Sequence, residues 1–188
     1  MKYFALNKPY GVISQFSENI GRKSLADVYK FPENVYPVGR LDMDSEGLLL
    51  LTDDRSLTEY LLNPENRHER EYYAQVEGIP TEEELKRLES GVIIEEKMTL
   101  PAKARLVTDF IIEPRESPIR FRKTVPDCWI SLTITEGRNR QVRKMTAAIW
   151  HPTLRLIRVR IKNILLGNMK PGEVHILSNS EIMELKGL

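Results

Sequence analysis

Residues Val38 to Asp54 read VGRLDMDSEGLLLLTDD. The four leucines Leu48 to Leu51, bounded by Gly47 and Thr52, form an apolar run without a polar interruption. Such a run predicts a strand or core segment covered on both faces. At its entrance stand Arg40, Asp42, Ser45, Glu46 and Gly47. Polar groups at the mouth of a rigid element are positioned more narrowly than groups on a free loop. For a lone aspartate there, the ordinary structural reading is an N-cap or a turn.

Working outward, Tyr3 to Leu6 and Gly11 to Gln15 read as short strands around the turn Asn7-Lys8-Pro9-Tyr10-Gly11. Ser24 is placed to cap a short helix towards Lys30. Asp54 or Ser56 is placed to cap a second helix through Leu62, stopped by Asn63-Pro64. Glu71 to Glu77 alternates as a strand does. Thr81 and Glu84 form a capping box ahead of Leu85 and Leu88, with Gly91 as the stop. Val92 to Ile94, Ala104 to Val107 and Trp129 to Thr135 read as strands. Asn139 to Trp150 fits a helix with Val142, Met145 and Ile149 inward. Leu154 to Ile161 alternates, so its arginines are expected on one sheet face. This order of elements predicts an α+β fold rather than a regular βαβ series.

The 188 residues suit one large domain or two small lobes sharing a core, and 41% hydrophobic residues can fill its interior. Net charge is only +1, but it is unevenly spread. Gly137 to Gly172 contains no acid and nine lysines and arginines, while acids gather at Glu82–Glu84 and Glu95–Glu96. That asymmetry predicts a basic face for a polyanion. The one cysteine, Cys128, excludes an intramolecular disulfide framework and suits a reducing compartment. No stretch approaches the roughly 20 apolar residues of a membrane span, and the start lacks a signal peptide's apolar region. A cytoplasmic protein is expected.

Five segments go further. They are the Val38–Asp54 string; Asn7-Lys8-Pro9-Tyr10-Gly11; Arg70-Glu71-Tyr72-Tyr73-Ala74; and Glu136 to Met145, EGRNRQVRKM, followed by Leu156-Ile157-Arg158. Together they resemble the pseudouridine synthases, in the branch that includes the small-subunit and several large-subunit ribosomal RNA enzymes. Arg70 and Ala74 are mild departures, standing where that family usually has Lys and Val. The resemblance spans essentially the whole chain. It implies a mixed, mostly antiparallel central sheet with flanking short helices and an active-site cleft. It also implies one catalytic domain over residues 1–188. Many relatives carry an additional N-terminal RNA-binding module, for which a catalytic turn beginning at Asn7 leaves no room.

The resemblance assigns roles residue by residue. Asp42 is the catalytic aspartate, Arg143 its guanidinium partner, and Tyr72 the tyrosine lining the site. Leu156 packs by the target base. Pseudouridine formation breaks the N1–C1′ bond of uridine, turns the uracil and joins C5 to C1′, so no metal or cofactor is expected. Asp42 could attack C1′, attack C6 of the base, or assist a glycal route through C2′. Tyr72 could stack on the base and accept a carbon-bound proton. A uridine in folded RNA must leave its stack to reach such a site, at a cost of a few kcal/mol. Arg138, Arg140 and Arg155 are the candidate phosphate contacts. Arg40 could hold the flipped nucleotide's phosphate or orient the loop, and Lys8 belongs to the same substrate-binding set.

Tyr72-Tyr73-Ala74-Gln75-Val76-Glu77-Gly78-Ile79-Pro80-Thr81 and Pro118 to Lys123 (PIRFRK) resemble the short members acting on large-subunit RNA. The expected partner is therefore one uridine of 23S ribosomal RNA, with the chain acting as a monomer. Small-subunit RNA or transfer RNA are the competing substrates, and a non-catalytic RNA-binding or ribosome-assembly protein is the competing class. Asp42 and Asp44 with Asp53 and Asp54 also suggest a divalent-metal hydrolase, and Asp44 or Glu46 a glycosidase carboxylate pair. Neither has a completing downstream motif. His68, His151 and His175 are scattered, and His151 before Pro152 reads as structural.

Overall fold

The structure, a computed structural model, describes residues 1–17, 21–108, 114–115, 117–119 and 124–188. Arg120 to Lys123 of the PIRFRK motif therefore lie outside the described residues. The fold is α+β, with mostly antiparallel strands and, among the described residues, four short α-helices. It divides into two compact units, Met1–His68 with Arg158–Leu188, and Glu69–Ile157.

In the first unit the leucine run is strand β3 (Glu46–Thr52), every residue of which is buried. The short strand β2 (Tyr36–Pro37) pairs with it on one side. Strand β1 (Tyr3–Lys8) lies antiparallel to β3, with Ala5 opposite Leu50 and Lys8 opposite Gly47. Leu48, Leu50, Ala5 and Val38 pack with Leu57 and Leu61 of helix α1 (Arg55–Leu62) and with Leu177 and Leu185. Burying each leucine contributes about 2 kcal/mol. Asp54 caps α1 by accepting the Leu57 amide. A C-terminal strand (Val174–Ile176) pairs with β1, and a helix over Asn179–Lys186 follows. Sequence periodicity did not single out either element.

In the second unit, strand β4 (Arg70–Glu77) alternates as expected, burying Tyr72, Ala74 and Val76. Helix α2 (Glu82–Ser90) carries the Thr81–Glu84 capping box, and Gly91 is its C-cap. Strands β5 (Ile93–Ile94) and β6 (Lys97–Met98) form a hairpin. Strand β7 (Lys103–Val107) pairs with β8 (Asp127–Ile134), which pairs in turn with β4. Helix α3 (Gln141–Ala148) buries Val142 and Met145, and Ile149 just beyond it is buried too. Strand β9 (Thr153–Ile161) begins in this unit and ends in the first.

Four expectations need correction. Gly11 to Gln15 is not a strand; its one ladder contact among the described residues is an isolated bridge of Val12 with Lys23. Gly11 turns at φ +79°, and the Val12 carbonyl is taken by the Lys8 ammonium instead of a neighbouring strand. The helix after Ser24 is a single 3-10 turn, Leu25–Asp27, closed by Ser24 and Asp27. It stops short of Lys30, and the Phe31 amide turns back to the Tyr29 carbonyl at 3.0 Å instead of continuing a helical ladder. Helix α3 is shorter than Asn139–Trp150 because Arg140 and Trp150 hold left-handed backbone, at φ +53° and +68°. Finally, the arginines of β9 do not share a face. Side chains alternate with period two, which sets Arg155 opposite Arg158 and Arg160, and both Arg155 and Arg158 are buried.

Candidate active site

The candidate residues divide between the units: Lys8, Arg40 and Asp42 in the first; Tyr72, Arg138, Arg140, Arg143, Arg155 and Leu156 in the second.

In the first unit, Asp42 sits half-buried at the start of a tight turn in which the Ser45 amide donates to the Asp42 carbonyl at 3.0 Å. The turn leads straight into β3, so Asp42 is tied to the most deeply buried strand of its unit. The residues on either side of it are also gripped. The Ser14 hydroxyl donates to the Leu41 carbonyl at 2.7 Å and accepts the Leu41 amide at 3.0 Å. The Gly11 amide donates to the Met43 carbonyl at 2.8 Å. Arg40 is exposed beside this loop.

Beneath the loop lies a buried charge cluster that sequence reasoning did not assemble. Lys8 has no exposed surface, and its ammonium donates to the carbonyls of Pro9 at 2.9 Å and Val12 at 2.7 Å. Burial brings its pKa down to about 8, against the opposing pull of Glu46 and, more weakly, Asp42 and Asp44; the positive charge of Arg158 adds to the lowering. Glu46 and Arg158 are both buried, and Arg158 Nε donates to the Leu48 carbonyl at 2.7 Å. The signal for this cluster was the NKP turn itself: β1 register places Lys8 opposite Gly47, next to Glu46. The neighbouring acids have other work. Asp53 accepts the Lys2 amide at 2.6 Å, and Asp54 caps α1.

In the second unit, Tyr72 lies on the buried face of β4, opposite Leu132 of β8. The EGRNRQVRKM segment is a folded turn before α3. Gln141 donates to Glu136 at 2.6 Å and accepts the Arg138 amide at 2.9 Å, and Glu136 also accepts the Leu100 amide. Arg143 projects from α3 with Nη1 donating to the Thr153 carbonyl at 3.3 Å. Thr146 and Thr153 share a hydroxyl hydrogen bond at 2.7 Å, which fixes α3 against the start of β9. Leu156 and Arg155 on that strand are buried. Arg138 is committed locally, donating to the carbonyls of Ile94 and Lys97 in the β5–β6 hairpin. Lys144 pairs with Glu95 at its tip. Arg140 is exposed. His151 is structural, its ring bonded to the Glu77 carbonyl and the Glu84 carboxylate. The capping interactions of Thr81, assisted by His151, hold the Glu84 carboxyl below its ordinary range.

Among the described residues no group of His, Cys, Asp and Glu is placed to hold a metal ion. No helix among them is long and apolar enough to cross a membrane.

Residues 2–148 match the family model described as RNA pseudouridylate synthase. A ribosomal large subunit pseudouridine synthase E of Vibrio parahaemolyticus is 47% identical over 172 residues, covering 92% of this chain and 72% of that protein. A protein of the same name from Xanthomonas axonopodis pv. citri is 50% identical over 169 residues, covering 88% of each. Among solved structures, a pseudouridylate synthase crystal structure aligns with a TM-score of 0.81 at 28% identity, over 98% of this chain and 73% of that one.

Proposed function

This chain belongs to the RNA pseudouridylate synthase family, and on that premise we propose that it converts one uridine of large-subunit (23S) ribosomal RNA to pseudouridine, with Asp42 as the catalytic carboxylate. The observation that carries the reading is the likeness, over about nine-tenths of the chain, to relatives named as large-subunit synthases. The seating of Asp42 supports it. Its two flanking residues are held by hydrogen bonds and its turn runs into a buried strand, as a group that must meet a reacting atom requires.

In this reading the uridine is flipped from its stack, its N1–C1′ bond breaks with participation of Asp42, and C5 bonds to C1′ with loss of the C5 proton. Tyr72 stacks on the base and receives a carbon-bound proton. Arg143 supplies the guanidinium that directs the carboxylate, and Leu156 an apolar wall. Arg40 and Arg140, both exposed, serve phosphate contacts, which gain affinity by releasing counterions, and the buried Arg155 joins them only as RNA binding uncovers it. Arg138 and Lys8 complete the substrate-binding set, each from a backbone-bonded position in its own unit. The protein works in the cytoplasm as a monomer, without metal or cofactor.

The test is tritium release from C5-tritiated uridine in unmodified 23S RNA, with 16S RNA and transfer RNA in parallel and a chelator present. Release by wild type from 23S RNA alone, abolished in Asp42→Asn and strongly reduced in Tyr72→Phe, is expected. Release from another RNA would relocate the target. Tight RNA binding with no release from any of the three would replace the enzyme with a binding protein.

A further inference from the structure

After Lys8 ends β1 the chain runs irregularly to Ser14, yet the polar groups of this stretch are spent on two tasks. Lys8, wholly buried, closes the turn on itself by holding the Pro9 and Val12 carbonyls. The closed turn then presents the Gly11 amide to the Met43 carbonyl and the Ser14 hydroxyl to both backbone groups of Leu41. Asp42 is the residue between those two attachments. We propose that the Lys8 ammonium and the Ser14 hydroxyl are positioning residues for the pseudouridylation reaction, acting as a seat that holds Asp42 in its reactive placement. This rests on the reading of Asp42 as the catalytic carboxylate.

The physical case has two parts. Taking a lysine out of water is costly, and a methionine would fill the same space without a buried charge. What the charge supplies is hydrogen bonds roughly twice as strong as neutral ones, together with electrostatic attraction to Glu46 and, more weakly, Asp42 and Asp44. The buried positive charge of Arg158, from β9, opposes it. The seat is therefore firm while Lys8 is protonated and looser once it is neutral. Because burial has brought its titration to about pH 8, that loosening falls within a range where the enzyme can be assayed. Ser14 needs no charge. It bonds the same residue as donor and acceptor, which fixes the peptide before Asp42 in direction as well as distance.

Single-turnover rates at saturating enzyme, taken against pH with full-length 23S RNA, test the proposal together with RNA affinity. Ser14→Ala is expected to slow the rate on the order of tenfold to a hundredfold with affinity unchanged, since small misplacement of a reacting group costs that much. Ser14→Thr should restore it. Wild type should lose rate as pH rises through about 8. Lys8→Met should be slow at every pH and lack that step. Glu46→Gln removes the carboxylate that favours the charged amine, so its step should move to lower pH, and this variant serves if Lys8→Met does not fold. An alkaline loss shared unchanged by all variants belongs to the substrate. Identical pH profiles in wild type and Glu46→Gln, with Ser14→Ala at full rate, would overturn the seat. Activity in Asp42→Asn would instead overturn the reading of Asp42.

Discussion

Lys186, in the last turn of the C-terminal helix, pairs with Asp54, the N-cap of α1, at 2.8 Å. The two residues are 132 positions apart in the chain, and the same carboxylate accepts the Tyr3 hydroxyl at 2.7 Å, the Ser56 hydroxyl at 2.6 Å and the Leu57 amide at 3.1 Å. One buried aspartate thus joins β1, α1 and the C-terminal helix, closing the unit that holds Asp42 from the side of its latest-synthesised residues.

That junction makes the unit acid-sensitive. Burial pushes the Asp54 carboxyl upward, but hydrogen bonds from Lys186, Ser56, Tyr3 and the Leu57 amide together outweigh it and hold the group well below the ordinary carboxylate range. A carboxyl lowered on folding contributes stability that is present above its unfolded value of about 4 and lost as pH falls through its folded value. Urea unfolding followed below about pH 4 should show this loss in wild type, and Asp54→Asn should flatten that part of the curve. At neutral pH Asp54→Ala should cost about 2 kcal/mol, roughly half of it the lost cap. Equal stabilities at pH 7 would remove the junction from the fold's energetics.

How far the sequence was legible follows the range of the interactions involved. Thr81–Glu84, Asp54 and the leucine run are local signals, and each formed the element its neighbours implied. The motif residues could be recognised without knowing what touches them. Failures came where a distant partner decides the outcome. Gly11 to Gln15 has strand-like composition, but its Val12 carbonyl is claimed by Lys8 and its Ser14 hydroxyl by Leu41. Arg138 is tied to two carbonyls of the β5–β6 hairpin, some forty residues away, which no neighbouring residue announces. Arg155 was misplaced for a simpler reason, because counting by twos from Arg158 puts it on the other face.

Gly91 shows how tightly the second unit's turn is built. It ends α2 at φ +101°, and a Cβ there would lie 2.6 Å from the Thr99 carbonyl oxygen, a backbone atom that cannot rotate away. Thr99 is itself fixed, its amide on the Val92 carbonyl and its hydroxyl accepting the Val92 amide. Gly91→Ala should therefore destabilise by about 2–3 kcal/mol, more than the conformational term of about 1 kcal/mol alone. Thermal melting checks this, and a loss no larger than that of an alanine at an open turn glycine would show that the hairpin yields.

Arg138 and Arg140 stand two residues apart and should behave differently towards RNA. Each phosphate contact adds close to one unit to the slope of log affinity against log salt. Arg140 is exposed, and Arg140→Ala should lower that slope by about one. Arg138 donates to two hairpin carbonyls, so Arg138→Ala should leave the slope nearly unchanged and instead raise amide hydrogen exchange across Ile93–Met98, where the clamp is lost. A salt series of RNA binding for both variants, paired with exchange measured on the free proteins, separates the two roles. A slope lowered equally by both would show that Arg138 leaves the hairpin for phosphate when RNA binds.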